Sequence, residues 1–254
     1  MEPVRSTRNP RVAEAIRLHR ARRRAQTGCT LLEGPHLIRE AILAEARIPT
    51  VFVWEGDEAG LELVAEFDTD RVVVDDLVMK RLAGTQHPRG PVGVMEIPPD
   101  ERAVDRSVMV SWGVGDPGNV GTLIRSAAAF ELGFLSGPRT ADPWSPKVLR
   151  SGAGSHFRTT IERSATLSVG MLQARGFTVV ASAVELGDPP ARLAEVGRSA
   201  LLVGEEGSGL PIEVIEKADI LITIPMPGHT ESLNVAVAGS LLAYELASRR
   251  AKTT

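Results

Sequence analysis

Near-continuous runs of Val, Ile and Leu alternate with helical segments through the second half of this chain. The runs are VMVSWGV (108–114), GFLSG (133–137), FTVVASAV (177–184), SALLVG (199–204) and ILITIPM (220–226), with helices predicted at 119–131, 167–175, 211–218 and 233–250. Strands without polar alternation are typical of a parallel sheet covered on both faces. The pattern therefore predicts an α/β domain with a mostly parallel sheet, helices on both faces and a ligand site at the carboxyl ends of the strands.

The first half predicts a second, smaller α/β domain. Its predicted strands are LLEG (31–34), TVFVWEG (50–56), RVVVDD (71–76) and VGVMEI (92–97), with a helix from Pro35 to about Ala46. Between the halves, IPPDERAVDRS (97–107) combines two prolines and five charges without apolar periodicity, which is typical of a linker. We therefore expect domains over 1–98 and 108–254, joined by a linker over 99–107.

Composition narrows the class of protein. Cys29 is the only cysteine, and the five histidines lack metal-ligand spacing, so we expect no metal site. We find no apolar run of membrane-spanning length and no secretory signal pattern at the start, and we expect a cytoplasmic location.

Positive charge is concentrated in the first thirty residues, which hold eight arginines and two glutamates in a chain of net charge −3. A helix over 10–24 would place Arg17, Arg20 and Arg24 on one ridge, which indicates an arm that contacts nucleic-acid phosphates; a solvated helix face is the alternative. The arginines assigned to RNA contact are Arg8, Arg20, Arg22, Arg23, Arg24 and Arg89.

Three glycine-containing or polar loops follow predicted strands. The first, GVGDPGNVGTLIRS (113–126), contains a GxGxxG pattern. An NADP-dependent enzyme, in which Arg139 would bind the 2'-phosphate of the cofactor, is therefore an alternative interpretation. Pro117 within the glycine loop and the absence of an acid after GFLSG weaken that reading. We predict Asn119 as the N-cap of the following helix, with Arg125 in its early turns.

The second and third loops contain further polar groups. In LLVGEEGSGLP (201–211), glycines allow close approach of the backbone to a ligand, and one of the paired glutamates is expected to hold Arg125. In IPMPGHTESLNVAVAGSLLAYEL (224–246), Ser232 is the predicted N-cap, which leaves Asn234 inside the first turn of an apolar helix suited to burial or to a dimer interface.

Together, NVGTLIRSAAAF, LLVGEEGSGL and IPMPGHTESLNVAVA resemble the three ordered motifs of the SpoU family of RNA 2'-O-ribose methyltransferases, in the SPOUT class. SPKVLRSGAGSHFR (145–158) resembles the segment after the first motif. Residues 1–98, with RNP, LLEGPHLI and HPRGPVGV, resemble the family's L30e-like substrate-binding domain. The resemblance covers nearly the whole chain. It departs at Trp112, where relatives often have a small or acidic residue, and at Glu131, where they usually have Gly.

The resemblance implies a C-terminal trefoil knot, a homodimer and S-adenosylmethionine as the methyl donor. It implies two sets of site residues. The polar catalytic set is Asn119, Arg125, Glu206, Ser232 and Asn234, and the cofactor set is Leu202, Gly204, Gly209, Ile224, Met226 and Leu233.

Arg125 is implied to act on the ribose hydroxyl, across the dimer interface, with Glu206 and Asn234 orienting it. Since Arg stays protonated, we interpret its role as stabilising developing negative charge or a nearby phosphate. The separate N-terminal domain favours 23S ribosomal RNA as substrate over tRNA; a noncatalytic RNA-binding dimer is the other alternative.

Overall fold

The computed structural model describes residues 2–65, 67–84, 88, 90–100, 105–228 and 231–250. Its strands are β1 Cys29–Glu33, β2 Thr50–Trp54, β3 Asp70–Val74, β4 Val92–Glu96, β5 Val108–Ser111, β6 Gly133–Ser136, β7 Ile161–Arg163, β8 Thr178–Ala183, β9 Ser199–Val203 and β10 Ile220–Thr223. Its helices are α1 Pro10–Arg17, α2 Ala21–Thr27, α3 Pro35–Leu43, α4 Glu58–Ala65, α5 Asp76–Ala83, α6 Pro117–Ala129, α7 Pro146–Gly152, α8 Val169–Ala174, α9 Ile212–Ile215 and α10 Val235–Arg250.

The chain forms two compact units. The first comprises Met1–Pro99 and Trp144–Phe157, and the second comprises Asp100–Pro143 and Arg158–Thr254. The first division falls inside the expected linker. The segment Trp144–Phe157 differs from expectation, since the sequence placed it in the second domain and the structure groups it with the first unit.

A four-stranded mixed sheet forms the centre of the first unit, in the order β1-β4-β2-β3. β4 pairs antiparallel with β1 and β2, whereas β2 and β3 are parallel. Apolar side chains of α1 and α5, among them Val12, Val78 and Leu82, pack with Phe52 of β2 into one core. The expected strands are confirmed, and α4 and α5 are additional.

The predicted helix over 10–24 is wrong, because the chain turns between α1 and α2. The Arg24 side chain causes the difference: it is only 4% exposed and donates to the carbonyls of Leu18 (2.8 Å) and His19 (3.1 Å), which follow α1. Arg24 therefore stabilises the turn and does not belong to an exposed basic ridge.

An ion pair between a buried carboxyl group and an exposed arginine connects β1 with α7 in the first unit. The Glu33 side chain is 6% exposed and accepts a hydrogen bond of 2.5 Å from Arg150. Burial raises the pKa of the Glu33 carboxyl to about 7, an effect that Arg150 only partly opposes. The other oxygen, Oε1, is buried and has no hydrogen-bond partner among the described residues. Glu33 is thus a carboxyl that folding places in an unfavourable environment for its charge.

The second unit contains a six-stranded, fully parallel sheet in the order β10-β8-β9-β5-β6-β7. The central strands β5 and β9 are buried at every residue, which confirms the expected α/β domain. One face packs against α8 and α9. On the other, Gly239 of α10 lies against Leu123 of α6, so closely that a Cβ would come within 2.5 Å of the leucine side chain. In the described residues no helix is long and apolar enough to cross a membrane.

Candidate active site

The carboxyl ends of β9, β5 and β6 lie side by side at one edge of the parallel sheet. Ser111 of β5 is in register with Val203 of β9 on one side and with Ser136 of β6 on the other. The loops after these strands therefore begin at the same level, about 5 Å apart from one strand to the next. Two of the three motif loops identified in the sequence start here.

A cleft opens at this edge, beyond β10, β8 and β9. Of the predicted cofactor residues, Gly204, Gly209, Ile224, Met226 and Leu233 line it. Leu202 does not, because its side chain is fully buried in the core below the sheet edge. The assignment of Leu202 to the cofactor set stays a prediction.

The end of β8 also lines the cleft, through Ser182, Ala183 and Val184. The sequence pattern of FTVVASAV (177–184) predicts a strand and no contact with a ligand. These residues end a strand of a parallel sheet, a position where ligands commonly bind, so the sequence could have indicated a cleft residue here. The location of β8 between β10 and β9 is known only from the sheet order of the structure.

The glycine loop after β9 folds back on itself. Glu205 and Gly209 exchange backbone hydrogen bonds of 3.1 and 2.9 Å, and Ser208 donates its hydroxyl to Glu205 Oε2 at 2.8 Å. Gly204 has no room for a side chain, since a Cβ would lie 2.3 Å from the Gly209 carbonyl carbon. Glycine is thus required where the loop closes, and the closed loop forms one wall of the cleft.

Three predicted catalytic side chains meet beside the cleft. Glu206 Oε1 accepts hydrogen bonds from Asn119 Nδ2 and Asn234 Nδ2, both at 2.6 Å. Asn234 Nδ2 also lies 3.1 Å from Asn119 Oδ1, which it can reach as donor. Residues 115 positions apart are therefore joined through one carboxylate. We call Asn119, Glu206 and Asn234 the polar cluster.

Helix caps position two members of the polar cluster, although not as predicted. Asp116, not Asn119, is the N-cap of α6 and accepts from the Asn119 amide at 3.0 Å; Pro117 is its first residue. Asn119 therefore stands in the first turn with its side chain free to meet Glu206.

The predicted N-cap at Ser232 is also wrong, because α10 begins at Val235. Asn234 Oδ1 caps this helix by accepting from the amides of Ala236 (2.9 Å) and Val237 (3.2 Å). Ser232 lines the cleft instead.

Arg125 does not join the polar cluster. Its side chain is exposed and makes no hydrogen bond or ion pair with any residue that the structure describes. The expected pairing with Glu205 or Glu206 is absent from this chain. Arg125 lies six residues after Asn119, about 9 Å along α6 and about 120° around it, so it faces another direction.

The arginines assigned to RNA contact differ in their surroundings within the first unit. Arg8, Arg20 and Arg22 are exposed, whereas Arg23 donates to Glu14. Arg24 is buried, as described above, and Arg89 lies outside the described residues.

The cleft is acidic. Its described lining includes the carboxylates of Glu205 and Glu206 and no Lys or Arg side chain. The loop with the GxGxxG pattern does not line it, and the Gly113 amide donates to the Pro138 carbonyl at 2.9 Å. A cationic ligand suits such a cleft, whereas the phosphates of NADP do not. Among the described residues, no group of three or more His, Cys, Asp or Glu could hold a metal.

Comparison with known proteins gives the family. The model of the SpoU rRNA Methylase family matches residues 106–244, and that of the MRM3-like substrate binding domain matches residues 9–93. The chain belongs to the SpoU family. It is 33% identical to the 23S rRNA (guanosine(2553)-2'-O)-methyltransferase of Bacillus subtilis (strain 168), over 97% of this chain and 99% of the relative.

Two solved methyltransferase structures have the same fold over nearly the full length of this chain. The SpoU methyltransferase AviRb from Streptomyces viridochromogenes, in complex with the cofactor AdoMet, gives a TM-score of 0.85 at 26% identity and covers 96% of this chain and 99% of its own. An RNA 2'-O ribose methyltransferase gives 0.84 at 28%, over 98% of this chain and 100% of its own. SpoU enzymes use S-adenosylmethionine, whose sulfonium and ammonium groups agree with the acidic cleft found here.

Proposed function

We propose that this SpoU protein methylates the 2'-hydroxyl of a ribose in 23S ribosomal RNA, with S-adenosylmethionine as methyl donor. The observation that carries the proposal is the polar cluster beside an acidic cleft, formed by the same three loops that carry the family motifs. The substrate is taken from the Bacillus subtilis relative, which matches the chain over nearly its full length.

The cleft residues divide between binding and orientation. Ile224, Met226 and Leu233 offer apolar walls to an adenosyl group, while Glu205 and Glu206 offer carboxylates to the positive groups of the methionine part. S-adenosylmethionine supplies an electrophilic methyl group there. Orientation is the contribution of the polar cluster, which fixes α6 and α10 to the glycine loop and so holds the site in one geometry.

A ribose hydroxyl is a poor nucleophile, and an Arg side chain does not deprotonate in a protein. Arg125 therefore stabilises negative charge, either on the reacting oxygen or on a neighbouring phosphate, and does not act as a general base. Its planar guanidinium can donate two parallel hydrogen bonds to such a group.

Arg125 reaches the site of a second copy in a homodimer. It faces away from the polar cluster of its own chain and has no partner among the described residues. On the adjoining α10, Val237, Leu241 and Tyr244 are 48%, 47% and 57% exposed and follow one another at helical spacing. An exposed apolar stripe beside an unpaired arginine fits a self-associating surface.

The first unit is proposed to bind the RNA, with Arg8, Arg20 and Arg22 as phosphate contacts. The family model that matches residues 9–93 describes a substrate binding domain, which supports this assignment. The C-terminal trefoil knot and the L30e-like character of the first unit stay predictions.

The test is methylation of purified RNA with isotopically labelled S-adenosylmethionine, followed by mapping of 2'-O-methyl groups. Transcripts of 23S rRNA should be labelled at a ribose, while 16S rRNA and total tRNA should not. Labelling of tRNA alone would replace the substrate. Calorimetry separates the remaining alternatives: binding of NADPH instead of S-adenosylmethionine indicates a dehydrogenase, and RNA binding without cofactor binding indicates a noncatalytic dimer.

A further inference from the structure

A strained arginine stands at the active-site edge, in the turn that follows β6. The Thr140 amide donates to the Gly137 carbonyl at 3.4 Å, which closes the turn Gly137–Pro138–Arg139–Thr140. Arg139 has φ +56°, in the left-handed region that side chains disfavour. This third position of a turn normally holds Gly or Asn. An Arg here is not selected by backbone preference, which points to a use for its side chain.

The backbone around Arg139 is firmly held. The Gly137 amide and the Thr140 hydroxyl donate to the Ser111 carbonyl at 2.9 and 2.7 Å. The Pro138 carbonyl accepts from Gly113, and the Ala141 amide donates to Val114, both at 2.9 Å. The turn is thus fixed to the loop between β5 and α6. Its direction is set before any ligand binds, as a preorganised contact requires.

The sheet order places this turn next to the polar cluster, on the side away from the cofactor cleft. The cleft lies beyond β10, β8 and β9, the polar cluster bridges the loops after β9 and β5, and Arg139 follows β6. Two strand spacings separate the ends of β9 and β6, about 10 Å. An RNA strand whose target ribose faces the polar cluster can therefore extend over the β6 turn.

Negative charge surrounds the site, and RNA binding there requires a positively charged side chain to offset it. Asp116, Glu205 and Glu206 all belong to loops at this edge and repel a polyanion. Arg139 is exposed and, like Arg125, has no hydrogen bond or ion pair within the part of the chain described. Building on the proposed function, we propose that Arg139 binds a backbone phosphate of the substrate RNA close to the methylated nucleotide.

The test compares Arg139→Gly with Arg106→Ala in the full-length protein. Gly suits the positive φ, so Arg139→Gly removes the cation without straining the turn. Arg106 is also exposed, but it precedes β5 and lies at the opposite edge of the sheet. Binding of a 23S rRNA transcript is measured between 50 and 200 mM salt, roughly the range in which phosphate contacts dominate.

We expect Arg139→Gly to raise the Kd for the transcript about three- to tenfold and to reduce the slope of log K against log salt by about 0.7. Arg139→Lys should keep most of the slope, and the affinity for S-adenosylmethionine should not change. The inference is overturned if Arg139→Gly keeps the parent slope, or if Arg106→Ala lowers it equally. Because binding is measured without methylation, a parent that binds 23S rRNA but does not methylate it refutes the proposed function alone.

Discussion

Asn234 uses both ends of its side-chain amide: Oδ1 caps α10 through the Ala236 amide at 2.9 Å, and Nδ2 donates to Glu206 Oε1 at 2.6 Å. The cap fixes the orientation of the amide, so the donor is aimed at the carboxylate without further support. One residue therefore couples the start of a helix to the geometry of the polar cluster.

Substitution of Asn234 by Ser should separate these two tasks. Ser is as good an N-cap as Asn, but it lacks the amide group that reaches Glu206. We expect Asn234→Ser to keep the parent's free energy of unfolding within a few tenths of a kcal/mol and to lose at least about tenfold in methylation rate. Asn234→Ala should lose the rate and about 1 kcal/mol of stability. Parent-like activity in the Ser variant would show that the hydrogen bond to Glu206 is dispensable.

Arg125→Lys should nearly abolish turnover. Lysine keeps the charge but loses the planar fork that donates two hydrogen bonds to one group. We expect single-turnover methylation to fall by about 100-fold or more, as when one preorganised donor is removed from an active site. Titration calorimetry should find S-adenosylmethionine binding unchanged, because Arg125 does not line the cleft. Full activity of this variant would remove Arg125 from the mechanism.

Glu131→Gly should stabilise the second unit. Glu131 follows α6 with φ +55°, in the left-handed region that favours glycine, so the substitution relieves a strained backbone. The larger entropy of glycine in the unfolded chain offsets part of the gain, which leaves about 0.5–1 kcal/mol. Urea unfolding measures the difference. Glu131→Ala is the control, since it removes the charge and keeps the strain; an equal gain there would assign the effect to charge.

Sequence patterns predicted the parallel sheet because its strands are buried on both faces and carry an uninterrupted apolar signal. The first residue of a helix is harder to predict, since two residues near the start of α6 and of α10 have side chains that can act as the N-cap. At α6, Pro117 marks the start of the helix, because Pro favours the first helical position, whereas the prediction places Pro117 in the glycine loop and begins the helix at Asn119. At α10, Ser232 and Asn234 are equivalent by propensity, and only the three-dimensional position of Glu206 distinguishes them.

Tertiary contacts account for the remaining differences. The break between α1 and α2 depends on Arg24, whose side chain folds back onto two carbonyls. Its residue type does not distinguish it from the exposed arginines nearby in the sequence. Residues 144–157 belong to the first unit because two hydrogen bonds span more than one hundred residues. Arg150 donates to Glu33, and the Thr30 hydroxyl donates to the Trp144 carbonyl. Such long-range partners leave no local period in the sequence.

Stability of the first unit should fall as pH rises from about 4.5 to about 7. The pKa of Glu33 is about 7 in the folded protein and 4.5 when its side chain is exposed in the unfolded chain. Between these two values the folded state holds a proton that the unfolded state has released. The free energy of unfolding loses up to about 3 kcal/mol across this window and levels off above it. Hydrogen exchange of β1 amides measures it.

Glu33→Gln should flatten this pH dependence, because the amide does not titrate. Glu62→Gln, at an exposed position on α4, is the control and should keep the parent's slope. If the parent shows no decline in this window, or if Glu33→Gln declines equally, Glu33 is not the group responsible.

Mixing two inactive variants tests whether Arg125 acts across a dimer. In a heterodimer of Arg125→Ala and Asn234→Ala, the intact polar cluster of one subunit meets the intact arginine of the other only if Arg125 is donated in trans. Random reassociation makes half of the dimers mixed, each with one competent site of two, so methylation should recover to about a quarter of the parent's. An arginine acting in cis gives no recovery, since every site lacks one group. Leu241→Asp supplies the control: on the exposed stripe of α10 it should prevent dimerisation, seen by light scattering, and abolish the complementation.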